Sequence, residues 1–227
     1  MILLVVAAEP YELALLMQQC RWVRRTPFGY SGDWREYRLL AAHAGPGPEL
    51  ALEAMTQAMQ SVRPDAVISA GVCGALDPAM RIADIFVARE IVFRGRHFSC
   101  TSLRTIKEHR EGVLACQDRV AVTAEEKKTL AGTGCAAVDM ESGAVAARAT
   151  QDGLPFYCIR GVSDLADETF EIDFTEMRDS AGRFSRGKIV RAALGDPFRL
   201  MPALARIRRN TRLAASALGE FLADCRF

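Results

Sequence analysis

The sequence predicts an α/β protein built as one three-layer αβα domain. Three observations carry that expectation. Apolar runs of strand length alternate with segments of helical spacing along the whole chain, the pattern of helices packed on a sheet. The 227 residues suffice for one large domain with a substantial core, and half are hydrophobic while a quarter are charged. No internal repeat, linker or low-complexity tract divides the chain, so residues 1–227 read as one domain with a helical tail over about 187–227.

Taken in order, Met1 to Ala8 is apolar, short and without a basic leader, and it meets Glu9-Pro10 at once. A buried first strand fits it better than a signal peptide. Pro10 to Gln19 carries Leu13, Leu16 and Met17 at helical spacing, with Pro10 suited to a first turn. Glu12 therefore falls in that first turn, just beyond the carboxyl end of strand one, where the helix dipole favours an acid. Arg38 to His43 reads as a strand and Gly45-Pro46-Gly47-Pro48 as a turn. Glu49 to Gln60 reads as a helix with Leu50, Ala54 and Met55 turned inward.

Ala66 to Ala70 is a buried strand by length and content. It runs into Gly71-Val72-Cys73-Gly74, where two glycines let backbone approach a ligand or another strand closely. The stretch lacks the third glycine of a dinucleotide fingerprint and the Gly-Lys of a P-loop. Ile82 to Phe93 reads as a long strand, Arg94 to Arg110 as a polar, basic loop or lid, and Gly112 to Cys116 as a short strand. Thr123-Ala124-Glu125-Glu126 is a capping start for a helix through Leu130. After two acid-ended strands, Leu165 to Asp173 reads as an acidic loop over the site. In the tail, Leu200, Leu204, Ile207, Leu218 and Phe221 sit near one stripe, opposite Arg206, Arg208, Arg209 and Arg212. A helix packed on the sheet with a solvated basic face is preferred over contact with a membrane surface.

Bulk properties exclude several functions. A formal net charge of +1 gives no electrostatic case for nucleic acid. No window approaches the ~20 apolar residues of a membrane span. Seven cysteines, odd in number and without a Cys-x-x-Cys pair, read as small core residues in a reducing, cytoplasmic compartment. With three histidines no zinc spacing appears, and neither a metal nor a cofactor is expected.

Val138-Asp139-Met140-Glu141-Ser142 is the most informative stretch. An apolar run delivers two carboxylates to the mouth of a helix, an arrangement that is costly unless the acids have partners. About twenty residues later Phe156 to Ile159 runs into Arg160-Gly161-Val162-Ser163-Asp164. Two neighbouring strands presenting carboxylates at one edge suggest one site, since ligands sit at strand carboxyl ends. Three acids without a metal pattern, Glu12, Glu141 and Asp164, suit a reaction that moves protons or passes through a positive centre. Cleavage of an N-glycosidic bond is such a reaction, by the charge logic of an oxocarbenium-like sugar. Glu141 would suit a ribose diol, and Met140 could pack on the sugar or serve as plain core.

These residues carry a resemblance to a known family. Val5-Val6-Ala7-Ala8 with Glu12, Ala70 to Pro78, Val138 to Ser142 and Arg160 to Asp167 occur in order at fitting spacings. The chain resembles the purine and uridine phosphorylases and the methylthioadenosine/S-adenosylhomocysteine nucleosidases over nearly its whole length. The resemblance implies a central mixed, twisted sheet and at least a dimer, with Phe98, Phe170 and Phe174 as candidates for contact between chains. It also implies roles: Glu141 on the ribose hydroxyls, Met140 beside the sugar, and Asp164, steadied by Ser163, as general acid to the purine. Glu12 would activate water, and Gly71 to Gly74 would lie under base or nucleophile. Asp139 is assigned to structure.

Two departures bear on chemistry. The phosphorylases place an arginine before the glycine stretch and another near the N-terminus, where this chain has Ser69-Ala70 and Ala8-Glu9-Pro10-Tyr11. Without two cations much of a phosphate site is gone, so hydrolysis with water is favoured over phosphorolysis. Val120 and Ala121 stand where adenosine-type nucleosidases have a stacking aromatic. The run Asp118 to Lys127 and the tail are similar to the hopanoid-associated phosphorylase-like group, which implies an adenine nucleoside with a greasy 5′ group. The alternatives are phosphate-dependent cleavage and a non-catalytic nucleoside-binding protein.

Overall fold

Strand β1 (Ile2–Ala7) shows how the sheet divides its neighbours. Side chains alternate across the pleat. Leu4 and Val6 therefore join Ala51, Ala54, Met55 and Ala58 of α2 (Pro48–Ser61) in one apolar cluster. Leu3, Val5 and Ala7 join Leu13, Leu16, Leu218 and Phe221 in another. The first face is covered by α2 and α4 (Ser142–Gln151), the second by α1 (Ala14–Gln18) and α6 (Pro197–Leu222). These are the three layers the alternation predicts. The computed structural model describes residues 1–174, 176–179 and 182–227.

β1 lies between β4 (Tyr37–His43) and β5 (Ala66–Ala75), parallel to both. A meander of β2 (Arg21–Thr26) and β3 (Gly29–Trp34) extends the β4 side. Beyond β5 the sheet closes on itself. β5 pairs with β10 (Phe156–Asp164), β10 with β6 (Ile85–Phe93), and β6 with β8 (Arg110–Cys116). From β8 the ring runs to β9 (Ala137–Asp139) and back to β5. Parallel and antiparallel pairs mix around this ring, as the resemblance implies.

The two acid-ended strands are one strand apart rather than paired. Gly74 of β5 stands opposite Val138 of β9 and opposite Asp164 of β10, which brings both acids to one edge. The glycine stretch is itself strand, because β5 continues to Ala75. Arg94 to Arg110, expected as a loop or lid, is a hairpin at its start and an irregular, largely exposed segment beyond Ser99. Arg94 (φ 48°) and Gly95 (φ 71°) make a tight two-residue turn of the kind favoured in hairpins, and β7 (Arg96–Ser99) returns along β6. Phe98 is thereby buried in this chain's own core, so it cannot serve as a contact between chains.

On the far face Gly161 allows a close approach: a Cβ there would lie 2.4 Å from the Ala214 carbonyl oxygen of α6. Helix α3 (Ala124–Ala131) starts with the expected box, in which Thr123 and Glu126 cap each other's backbone N–H. The tail consists of α5 (Arg186–Gly195) and α6. Its basic face is partly paired: Arg206 reaches Glu168 and Glu171 at 3.1 Å each, tying α6 to the segment after β10. Among the described residues no helix is long and apolar enough to cross a membrane.

Candidate active site

Glu12 sits on a 3-10 turn (Pro10–Leu13) that leaves the carboxyl end of β1. Its side chain is buried, and its two oxygens accept the N–H of Val72 (3.0 Å) and of Glu9 (2.8 Å). Gly71 makes room for it, since a Cβ there would come within 2.9 Å of Oε1. Burial raises the Glu12 pKa to about 7, against the two N–H donors and the Arg160 charge, which lower it.

Glu141 lies at the mouth of α4, and its Oε1 accepts the Gly47 N–H at 2.8 Å. Burial, then the neighbouring Asp139 charge, raises its pKa to about 7, and the Glu12 charge adds to the rise. Asp139 is taken up by partners of its own. It accepts from Ser142 N (3.1 Å), Ser142 Oγ (2.7 Å) and Arg160 Nε (2.9 Å), wholly inside the protein. Its assignment to structure agrees with this geometry.

At the end of β10, Asp164 is held on both oxygens. Ser163 Oγ lies 2.9 Å from Oδ2 and 3.1 Å from the Cys73 carbonyl. Lys127 Nζ of α3 donates to Oδ1. Gly74 again supplies bare backbone, with room for no Cβ beneath Oδ1.

A cavity of about 240 Å³ joins these groups. Glu12, Met140, Glu141, Ser163 and Asp164 line it, and so do Gly74, Val120 and Ala121. Gly71 stands behind Glu12 rather than in the wall. Phe170, Phe174 and Phe184 close one side, packed edge to face at 5.6 and 5.9 Å between centroids. Phe170 and Phe174 thus stand at this chain's own cavity. Among the described residues no group of three His, Cys, Asp or Glu could hold a metal ion.

The family model of the phosphorylase superfamily matches residues 2–103 and 98–194. The chain belongs to the phosphorylase superfamily. A curated relative, the 5′-methylthioadenosine/S-adenosylhomocysteine nucleosidase of Staphylococcus aureus (strain bovine RF122 / ET3-1), is 22% identical over 67% of this chain and 79% of its own. Among solved structures, the S-adenosylhomocysteine nucleosidase of Streptococcus pyogenes with 5-methylthiotubericidin superposes with a TM-score of 0.75 at 17% identity, covering 99% of this chain and 95% of that one. The Neisseria meningitidis nucleosidase with methylthio-immucillin-A gives 0.75 at 20%, covering 98% and 97%. Futalosine hydrolase of Helicobacter pylori gives 0.73 at 17%, covering 98% and 96%. At these identities the structures attest to the superfamily fold alone.

Within that fold, two cations escaped the sequence reading. Arg160 stands in a motif but carries no mark of its pairing with Asp139. Lys127 sits in a polar helix start that reads as solvated. The raised acids have a measurable consequence for the folded state. Folding lifts Glu12 and Glu141 from 4.5 to about 7, so their stabilisation is full below about 4.5 and is lost as pH rises through 7. The thermal midpoint of the unliganded protein is expected to fall between pH 5 and 8, and Glu12→Gln to flatten that fall. A decline of the same slope in the variant would contradict the assignment for Glu12.

Proposed function

We propose that this protein hydrolyses the N-glycosidic bond of an adenine nucleoside and releases the free base. The carrying observation is Glu12: a buried carboxylate in the cavity wall, oriented by two backbone N–H groups, with a pKa near the working pH of a general base. Glu12 takes a proton from the attacking water. Glu141 holds the ribose diol and, as a carboxylate, stabilises the positive sugar, with Met140 packed beside it. Asp164, fixed by Ser163, serves the ring nitrogen of the departing purine. The nucleosidase relatives support the same reading, including adenine as the base.

Water is preferred to phosphate on charge. Arg119 lines the cavity but is paired with Glu126 at 2.5 Å, and Arg178 meets the wall with its Nη2 on Met140 Sδ (3.5 Å). Arg160 is no alternative anchor, because all of its donors are taken within the protein. A carboxylate at Glu12 would further repel an anionic nucleophile. The wall of Phe170, Phe174, Phe184 and Ile207 favours an apolar 5′ substituent over a charged one.

Incubation of the pure protein with adenosine, 5′-methylthioadenosine and a 5′-alkyl adenosine, with and without phosphate, tests both points. Free adenine and a reducing sugar at a rate indifferent to phosphate are expected. A strict need for phosphate would overturn hydrolysis, and no base release from any nucleoside would overturn the enzymatic reading.

A further inference from the structure

Lys127 is a charged group beside the site that the chemistry above leaves unused. It stands beside Lys128 in the first half of α3, yet Lys128 is exposed whereas Lys127 is 1% exposed. Burying an ammonium costs several kcal/mol unless it is matched on all sides. This one is matched: it donates to Asp164 Oδ1 and to the Leu165 carbonyl (2.6 Å), and it lies 5.2 Å from the centre of the Phe170 ring. The carbonyl and the ring are neutral, so Asp164 carries the compensating charge. With Ser163 on its second oxygen and Gly74 beneath the first, the carboxylate is fixed in rotation.

An acid paired with an ammonium holds no proton of its own to give. We propose that Lys127 is a positioning residue that acts through Asp164: it holds the carboxylate against the departing base and supplies the proton that Asp164 passes on. The inference rests on the hydrolysis proposed above and deepens its leaving-group step. The bond from C1′ to the purine breaks with its electron pair going to the base. A proton moves from Nζ to Asp164 and from Asp164 to a ring nitrogen, leaving Lys127 as the neutral amine and the base neutral. The water oxygen bonds to C1′ and its proton goes to Glu12. Solvent then returns a proton to Lys127 and removes one from Glu12, so no further reactant is needed.

Two substrates separate this role from a merely structural one. A purine nucleoside leaves only if it is protonated, whereas the nitrophenolate of a 4-nitrophenyl riboside leaves without a proton. Lys127→Met is expected to lower kcat on the nucleoside by roughly a hundredfold or more, with KM little changed, and to affect the nitrophenyl riboside far less. Lys127→Met leaves Asp164 as an uncompensated buried charge and can fail to fold. Lys127→Arg guards against that outcome, because a guanidinium keeps the ion pair but does not release a proton. The same selective loss is expected of it. Equal losses on both substrates, or full nucleoside activity in Lys127→Arg, would overturn the role while hydrolysis stands. A wild-type protein inert on both would overturn hydrolysis, and the role of Lys127 with it.

Discussion

Glu12→Gln is expected to lower kcat for base release by about a hundredfold or more while KM changes little. The substitution preserves volume, so the cavity keeps its shape, but an amide cannot take a proton from water. Its geometry also works against it. Val72 N–H and Glu9 N–H point at different oxygens of Glu12, and a glutamine offers one acceptor and one donor to them. One of the two backbone donors is left facing an NH₂ group, which costs about 1–3 kcal/mol of stability.

The same residue sets the pH dependence. Burial holds Glu12 near 7, and below that value the protonated acid cannot act as base. The wild-type kcat/KM is therefore expected to rise with pH through about 7, the opposite trend to the stability of the unliganded protein. Glu141, also near 7 and also needed as a carboxylate, contributes to the same limb, so two macroscopic steps belong to the pair. A profile of adenine release from pH 5 to 9 measures this. An acid limb near 4.5, or a Glu12→Gln enzyme with wild-type kcat, would defeat the assignment.

What the sequence revealed, and what it hid, divides along the range of the interactions involved. Glu12 was legible because an apolar strand, Pro10 and the first helical turn are contiguous, and local spacing places the acid at a strand end. The same holds for Glu141 and Asp164, each a few residues beyond an apolar run, and for the Thr123 capping box. Segment 21–34 gave no strand signal, because Arg21, Arg24 and Arg25 interrupt alternation in β2, which is mostly exposed. Closure of the sheet depends on β10 meeting both β5 and β6, pairings 70 to 90 residues apart that no window contains. Lys127 was hidden for a related reason: only the arrival of Asp164, 37 residues away, separates it from the solvated Lys128. The stretch Arg94 to Arg110 is largely exposed, as its charge implies, and irregular beyond Ser99, but its start is a hairpin made by two consecutive positive-φ residues, which neither charge nor apolar alternation marks.

Arg160→Met is the second large effect, and it acts first on the fold. All five donors of the guanidinium are engaged: Nε and Nη2 on Asp139, Nη2 also on Ser69 Oγ (2.8 Å), and Nη1 on the carbonyls of Ser69 (2.7 Å) and Ile159 (3.1 Å). Both ion-pair side chains are sealed from solvent, at 1% and 0% exposure. Methionine fills the volume but leaves Asp139 as a buried, unpaired anion, a change worth about 3–5 kcal/mol. That is a large part of a typical total stability of about 5–15 kcal/mol. Adding Asp139→Asn removes the stranded charge, so the double variant is expected to recover part of the loss, and a double-mutant cycle in urea measures the coupling. Simple additivity would mean the pair is not the structural strut described. The effect then reaches the chemistry. Arg160 lowers the pKa of both Glu12 and Glu141, so its removal is expected to move the acid limb of kcat/KM above 7 in whatever fraction folds. Asp139 raises Glu141, and neutralising it should bring that acid partly back. An unchanged limb in a folded Arg160→Met protein would show that the two acids do not sense the strut beneath them.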